Sequence, residues 1–392
     1  MFFLYISLPL LILPNLSFSL LGANVKAYMV IGLLYLSVYI GKLRFSKLFY
    51  FEYLLLFVYL IIGFSVIYAC DYKLALKLLI GQVVLVLVYI SYRSQILKLG
   101  LSDFESAFFN VGKLFIFISM LLYVMGLVGL YFFDIVPSKA AYLNDHAAAY
   151  FGVYLEGSLP RLKGLSESPN NYMYFAFSFM LFFRYKRKAG FEYLSLLTII
   201  LTISGTALVS LLFYYAFLFF NSQKNIAYKI FIPLFVFLFG QIVYLSNGFI
   251  RNIVDIRVQR LGTGSGRFEL WEFVINKIVD SPLLGYGANQ ARVVIEPFRE
   301  LQSAHNSFLD VFLSTGIIGF FAYILFHLSL LITSIQLGRK YSTEMFIVMY
   351  GFIFLISMAN NTLHIDYMVF YLCIIYAYSR NQPYKPLEKI DR

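Results

Sequence analysis

Apolar runs long enough to cross a bilayer recur along this chain from end to end, separated by short polar stretches. A bilayer core is crossed by a helix of about 20 mostly apolar residues. With 61% hydrophobic and only 13% charged residues, the chain has more apolar surface than one soluble core could hide. Lipid must therefore cover the excess. The sequence predicts an all-α, polytopic integral membrane protein, a single membrane domain over residues 1–392.

The apolar runs predict about 12 transmembrane helices. Residues 2–21 lack the positive n-region of a signal peptide and are interpreted as the first span. The run from 190 to 220 is long for one crossing and short for two, so we divide it at Ser204, Gly205 and Thr206. The predicted spans are 2–21, 27–41, 49–69, 74–92, 111–133, 171–185, 190–204, 206–220, 229–246, 306–334, 344–359 and 363–379.

The positive charge of the chain follows the predicted topology. A net charge of +11 would favour nucleic acid in a soluble protein, but orientation in a membrane explains much of it here, and no nucleic-acid partner is expected. With both termini in the cytoplasm, more than half of the lysines and arginines fall in inside loops. Two long loops, 134–170 and 247–305, then lie outside, because long loops are translocated regardless of charge.

The second long loop is rich in arginine and contains a predicted helix. A helix from about Gly266 to Val279, capped by Ser265 or Thr263, carries apolar residues at helical spacing and is predicted to lie at the membrane surface; these are Phe268, Trp271, Ile275 and Ile278. A guanidinium binds phosphate in a bidentate way and keeps its charge, so this loop suits a lipid-linked phosphate. The alternative is a solvated loop with salt bridges to its own acidic residues.

Two further features of the outer loops point to chemistry. Arg161 and Lys163 lie outside, close to the membrane, against the usual charge bias. His305 stands where the second loop enters the membrane, and a neutral imidazole is a natural general base for a sugar hydroxyl. A helix cap is the alternative role for His305, and His146 is the alternative base. No outside segment offers a metal-binding cluster, so arginine would replace a cation.

The run from Gly264 to Gly319 resembles the superfamily of O-antigen ligases and O-antigen polymerases. The pieces that carry the resemblance are Ser265-Gly266-Arg267 with Trp271, Ser281-Pro282 with Gly285-Tyr286-Gly287, Ala304 to Leu309, Gly316 to Gly319, and, in the first loop, Arg161 to Asn170. One departure is that Ser204-Gly205-Thr206 lacks the arginine that the family often has after the serine.

The resemblance implies a GT-C-like, multi-span glycosyltransferase of the bacterial inner membrane, with its site facing the periplasm. Such an enzyme needs no metal or other cofactor and moves a glycan from undecaprenyl diphosphate to a sugar hydroxyl, with inversion. Carried over by motif, Arg161 and Arg267 would bind the diphosphate and His305 would be the base. The expected supporting residues are Lys163, Asn170, Arg260, Tyr286 and Asn306.

The resemblance leaves the acceptor open. A polymerase, which we favour, extends a second lipid-linked repeat unit and works with a chain-length regulator protein, whereas a ligase modifies lipid A core. A glycan flippase is the alternative from another class, but it should place ionisable groups near the bilayer midplane. The predicted partners are therefore a lipid-linked donor and acceptor and membrane lipid.

Overall fold

The computed structural model describes residues 2–13, 17–20, 23–42, 46–133, 147–156, 159–221, 267–298, 303–361, 363 and 366–381, with 244–246, 248, 251 and 255 as isolated positions. Most of the predicted span 229–246 and most of the loop 247–266 lie outside these ranges. Several predicted residues also lie outside the described part, namely His146, Arg260, Thr263 and Ser265.

Helices dominate the described ranges. In chain order the helices are α1 Phe2–Leu11, α2 Ala27–Tyr39, α3 Tyr50–Ser65, α4 Tyr72–Lys98, α5 Leu101–Phe132, α6 Pro169–Tyr185, α7 Ala189–Leu201, α8 Gly205–Asn221, α9 Arg267–Asp280, α10 Ala291–Ile295, α11 Ser307–Lys340, α12 Met345–Ala359 and α13 Asp366–Arg380. The strands are β1 Ser17–Leu20, β2 Ala23–Lys26, β3 Ala147–Tyr150, β4 Val153–Glu156 and β5 Leu159–Leu162. Strands β1 and β2 form a hairpin, and β3, β4 and β5 form an antiparallel sheet.

Four helical segments of the described part are long and apolar enough to cross a membrane: Tyr50–Tyr68, α4, α5 and α11. Shorter apolar helices, α2, α7, α8 and α12, pack among them. Large apolar side chains remain exposed on the outer faces, as at Phe57, Phe64 and Leu121. Lipid is the solvent that such faces require. The chain is therefore a helical membrane protein.

The predicted first span is wrong in its extent. Helix α1 has 10 residues and is followed by the hairpin of β1 and β2, where one span over 2–21 was expected. A helix of that length rises about 15 Å, half of a bilayer core of about 30 Å. Pro9 lies inside α1 and Pro14 follows it in the sequence, and proline lacks the N–H that a continuing helix needs. An apolar run alone does not reveal such an interruption.

The predicted break in the run from 190 to 220 is confirmed. Helix α7 ends at Leu201 and α8 begins at Gly205. Between them Ile203 has φ 46°, a left-handed conformation that a β-branched residue rarely adopts. The Ser204 hydroxyl accepts a hydrogen bond from the Ala207 backbone at 3.4 Å and so caps α8. This turn adjoins the candidate site, because the Thr202 carbonyl accepts a hydrogen bond from Arg161.

Helix α9 of the second loop lies within one residue of its predicted bounds. Its buried residues are Leu270, Val274 and Ile278, which recur every fourth position and pack against the start of α11. Phe268 and Ile275, two members of the predicted apolar face, are exposed. One apolar face of α9 is therefore buried against the rest of the protein, and a second apolar strip of the helix is exposed on the surface.

The loop after α9 is bound to a break in α11. Tyr286 N donates to Leu313 O at 2.8 Å, and Ile317 N donates to Pro282 O at 2.9 Å. Gly316 interrupts α11 with φ 64°, and a Cβ there would lie 2.1 Å from Leu283 O. Only glycine fits such a backbone approach. The motif pieces around Pro282 and Gly316 are thus one structural unit that anchors the second loop to a membrane helix.

Candidate active site at the outer loops

Arg161 lies in the first loop on β5, and its guanidinium group is bound by neighbouring groups of the protein. Its Nε donates to Thr202 O at 2.8 Å, and its NH1 lies 2.6 Å from Glu156 Oε2. Residues 154 and 156 share one face of β4, so the pairing of β4 with β5 brings Tyr154 and Glu156 to this guanidinium. The side chain is 7% exposed. A buried arginine held in this way joins the outer sheet to the turn between α7 and α8.

The N-terminal end of α6 adjoins the same turn. Ser204 Oγ donates to Asn170 Oδ1 at 2.6 Å, and the Ser168 side chain caps α6 by accepting from Asn171 N at 3.2 Å. A helix N-terminus carries partial positive charge and attracts anions. The predicted residue Asn170 therefore sits at an electropositive end, close to the segment that holds Arg161.

Lys163 adds a further cation to the first loop. Burial lowers the pKa of Lys163 from its usual value, and the Glu167 carboxylate partly opposes this change. Its Nζ donates to Ser166 O at 3.3 Å. The lysine is consequently a half-buried ammonium with a backbone partner, well placed to support the anion-attracting end of α6.

Arg267 is the first residue of α9 and lies in different surroundings. Within the described part of the chain, no carboxylate pairs with its half-buried side chain. Burial lowers the pKa of Arg267, and the neighbouring Tyr174 of α6 opposes that change. Arginine nevertheless stays charged in proteins. The Tyr174 hydroxyl accepts a hydrogen bond from Asn360 Nδ2 at 2.6 Å, so its own proton is directed elsewhere.

His305 stands between α9 and α11, in electrostatic contact with Arg267. Burial is the larger cause and the Arg267 charge the smaller cause of a lowered His305 pKa. The imidazole is therefore neutral at neutral pH and able to accept a proton. The backbone of His305 has φ 50°, a left-handed conformation, and its N–H donates to Ser303 Oγ at 3.2 Å.

Helix α6 connects the two loops. Asn170 faces the turn beside Arg161, and Tyr174, four residues later on the same face of α6, faces Arg267. One helical turn spans about 5.4 Å. Arg267 thus lies close enough to His305 for its charge to lower the His305 pKa, and Asn170, which bonds to the turn that also holds Arg161, lies one turn from Tyr174 along α6.

Two predicted supporting residues, Asn306 and Tyr286, form hydrogen bonds that stabilise the fold. Asn306 Oδ1 caps α11 by accepting from Phe308 N at 3.0 Å and Leu309 N at 3.3 Å. Tyr286 OH donates to Lys277 O at 3.1 Å and so ties the loop back to α9. The capping role that was the alternative for His305 therefore belongs to its neighbour.

Glu156, Tyr174 and Asn360 lie near the arginines, and no local sequence pattern predicts that proximity. Tyr174 and Asn360 are 186 positions apart in the chain, and they meet only because α6 packs against α12. Their one sequence signal is position: each lies within a turn of the outer end of a predicted span. The residues that the structure describes contain no group of three or more histidine, cysteine, aspartate or glutamate side chains that could hold a metal ion.

Comparison with known protein families gives a match in the second half of the chain. Residues 193–324 match the family described as O-antigen ligase, over less than half of the chain. The matched segment contains α8, α9, α10, Arg267 and His305, whereas the first-loop residues lie before it. No curated protein matches the chain. The predicted resemblance to the superfamily of O-antigen ligases and polymerases is confirmed.

Proposed function

We propose that this chain, which carries an O-antigen ligase domain at residues 193–324, is a polymerase of surface polysaccharide. It transfers a growing glycan from undecaprenyl diphosphate to a sugar hydroxyl of another lipid-linked repeat unit. The reaction takes place at the periplasmic face of the bacterial inner membrane, with both termini in the cytoplasm. One observation carries the proposal: Arg267, without an acidic partner in the described ranges, lies beside a neutral His305.

The chemistry follows from these two side chains. His305 accepts the proton of the acceptor hydroxyl as its oxygen attacks the anomeric carbon of the donor. The bond from that carbon to the diphosphate oxygen breaks, and the electron pair leaves with the diphosphate. Arg267 neutralises the charge that develops there, a contribution of about 10²–10³ in rate for one such donor. Attack from the face opposite the leaving group inverts the anomeric carbon.

The first loop supplies the second half of the diphosphate site in this proposal. The N-terminal end of α6, Asn170 and Lys163 attract the anion. Arg161 binds a phosphate oxygen by exchanging its Glu156 partner for the ligand. Arginine charges then do the work of a metal ion, so the rate is expected to be unchanged by chelators.

Ligation of the glycan to lipid A core is the second candidate function. It is favoured by the description of the matched family, which is O-antigen ligase. Polymerase and ligase share donor chemistry and differ in the acceptor. The residues of the donor site therefore serve either reaction, and the acceptor must be tested directly.

The test is a reconstitution with purified protein in lipid nanodiscs. The protein is incubated with a lipid-linked repeat unit alone and, separately, with that unit and lipid A core. A ladder of products in the first reaction supports the polymerase, whereas product only in the second supports the ligase. Product formation in His305→Ala at the wild-type rate would contradict the proposed base, and glycan movement across the bilayer without new glycosidic bonds would support a flippase.

A further inference from the structure

The peptide that precedes His305 is held on both sides by side chains that the proposed reaction does not use. Trp271 Nε1 donates to Ala304 O at 2.9 Å, and Ala304 N donates to Asp310 Oδ1 at 2.8 Å. Ala304 and Asp310 are both buried. Both backbone polar groups of Ala304, which lie in the two peptide units that flank its Cα, are therefore satisfied by side chains from two different helices, α9 and α11.

This double attachment fixes a strained backbone. His305 has φ 50°, and non-glycine residues persist in that conformation only when their surroundings over-determine it. The carbonyl bond to Trp271 and the N–H bond to Asp310 set the orientation of the peptide just before the strained residue. On the other side, Asn306 caps α11 and fixes the peptide that follows. The direction of the His305 side chain is set by these bonds.

The same attachment also relates His305 to Arg267. Trp271 lies one turn after Arg267 on α9, so the two side chains share a face of that helix. A single hydrogen bond from Trp271 therefore joins the helix that carries the cation to the segment that carries the base. Buried Leu270 and Val274 of α9 pack in one cluster with Ala304 and keep the two segments in register.

We propose that Trp271 and Asp310 are positioning residues that clamp the Ala304 peptide and so hold the His305 imidazole at a fixed place beside Arg267. This inference rests on the proposed function for its catalytic consequence, but the placement of the imidazole is a property of the protein alone. Asp310 acts through its Oδ1 acceptor and Trp271 through its Nε1 donor, and neither touches substrate.

The catalytic part of the inference is tested with initial rates in nanodiscs. Trp271→Phe and Asp310→Ala are expected to lower kcat by about 10- to 100-fold, the loss typical of a catalytic group displaced by about 1 Å, with KM changed by less than about 3-fold. Asp310→Asn keeps an Oδ1 acceptor and is expected to restore most of kcat. Val279→Ala, at an exposed position two turns after Trp271 on the same helix, is the matched control.

Combination with His305→Ala separates positioning from general damage. If the clamp acts through His305, Trp271→Phe causes no further loss in a His305→Ala protein, because the group that it positions is gone. A further loss of the same factor would overturn the inference. Equal loss in Asp310→Asn and Asp310→Ala would also overturn it, since the carboxylate charge rather than the hydrogen bond would then matter.

A spectroscopic measurement keeps the inference testable if no glycosyl transfer is observed. The chain has four histidines, so a histidine-labelled sample in nanodiscs gives few signals, and His305→Asn identifies the one required. Trp271→Phe and Asp310→Ala should shift or broaden the His305 signal, and Asp310→Asn and the control Val279→Ala should not. An unmoved signal in Trp271→Phe would overturn the clamp. Moved signals without transferase activity would instead overturn the proposed function alone.

Discussion

The two long loops each present an arginine, and the surroundings of the two guanidinium groups differ. Arg161 has a carboxylate partner in Glu156 and a backbone partner in Thr202. Arg267 has Tyr174 and His305 as neighbours, and no carboxylate in the described part of the chain pairs with it. A compensated charge stabilises the protein that surrounds it, whereas an uncompensated charge attracts a ligand.

A residue with left-handed backbone conformation adjoins each arginine. The two residues differ in role in the same way as the two arginines: one supports the fold and the other supports the reaction. Ile203, with φ 46°, follows Thr202, whose carbonyl accepts the hydrogen bond from Arg161 Nε. Its strained conformation therefore serves a contact within the protein itself. His305, with φ 50°, carries the candidate base. Strain in the first loop thus supports the architecture, and strain in the second supports the orientation of a reactive group.

The largest expected effect separates the two arginines by activity and stability together. Arg267→Ala should lower the transfer rate by about 10²–10³, because the charge on the leaving diphosphate loses its donor. The melting temperature should stay near that of the wild type, since no ion pair of the described structure is broken. Arg267→Lys keeps the charge without the bidentate fork and should recover part of the rate. Normal chain lengths from Arg267→Ala would remove this residue from the mechanism.

Arg161→Ala should remove both activity and stability. The substitution strips the Thr202 carbonyl and the Glu156 carboxylate of a donor, at a cost of about 1–3 kcal/mol in the free energy of unfolding. Glu156→Gln keeps a hydrogen-bond acceptor for Arg161 and serves as the control for the lost ion pair. Thermal unfolding in detergent, measured beside the transfer rate, checks the result. A stable, inactive Arg161→Ala protein would instead make the two arginines equivalent.

A smaller effect is expected at the helix between the two sites. Tyr174→Phe removes the hydroxyl that accepts from Asn360 and lies near Arg267, and should lower the transfer rate by about 3- to 10-fold. Tyr172→Phe in the same helix is the matched control, because its buried hydroxyl lies near Ser119 and Thr198 rather than near Arg267. Equal rates in the two variants would show that α6 contributes only packing.

The smallest expected effect is in the pH profile. A base must be neutral to act, so the rate rises with pH through the His305 pKa and is level above it. Because burial and Arg267 lower that pKa from 6.5, more than half of the maximal rate should remain at pH 6.5. The profile of kcat/KM between pH 5 and 8, which reports the titrating groups of the free enzyme, measures this. A half-maximal rate at a pH above 6.5 would contradict the assigned surroundings of His305.

Local signals predicted the second loop better than the first. Apolar spacing and the following Pro282 located α9 to within one residue at each end, because a helix and its stop signal are encoded in neighbouring residues. The first loop depends on pairing between strands: Arg161 meets Tyr154 through the register of β4 and β5, and it meets Thr202 across 41 positions of sequence. Such long-range contacts leave no periodic pattern in the chain.

Helix ends show the same limit. Helix α5 begins at Leu101, whereas the predicted span began at 111, because Asp103 and Glu105 made the preceding segment resemble a polar loop. Glu105 is accommodated in the helix by Lys186 at 2.7 Å and the Tyr378 hydroxyl at 2.7 Å, which come from other parts of the chain. Hydropathy identified the apolar part of the helix and missed the part that is stabilised by tertiary partners.

The sequence by itself determined that the chain is a helical membrane protein with arginines beside a histidine motif, since hydrophobicity and residue type are local quantities. It could not assign different roles to Arg161 and Arg267, which are the same residue type in similar loops. Only the tertiary structure decided that difference, because the surroundings of a charge are set by which distant groups the fold brings within hydrogen-bonding distance: Glu156 and Thr202 in one case, Tyr174 and His305 in the other.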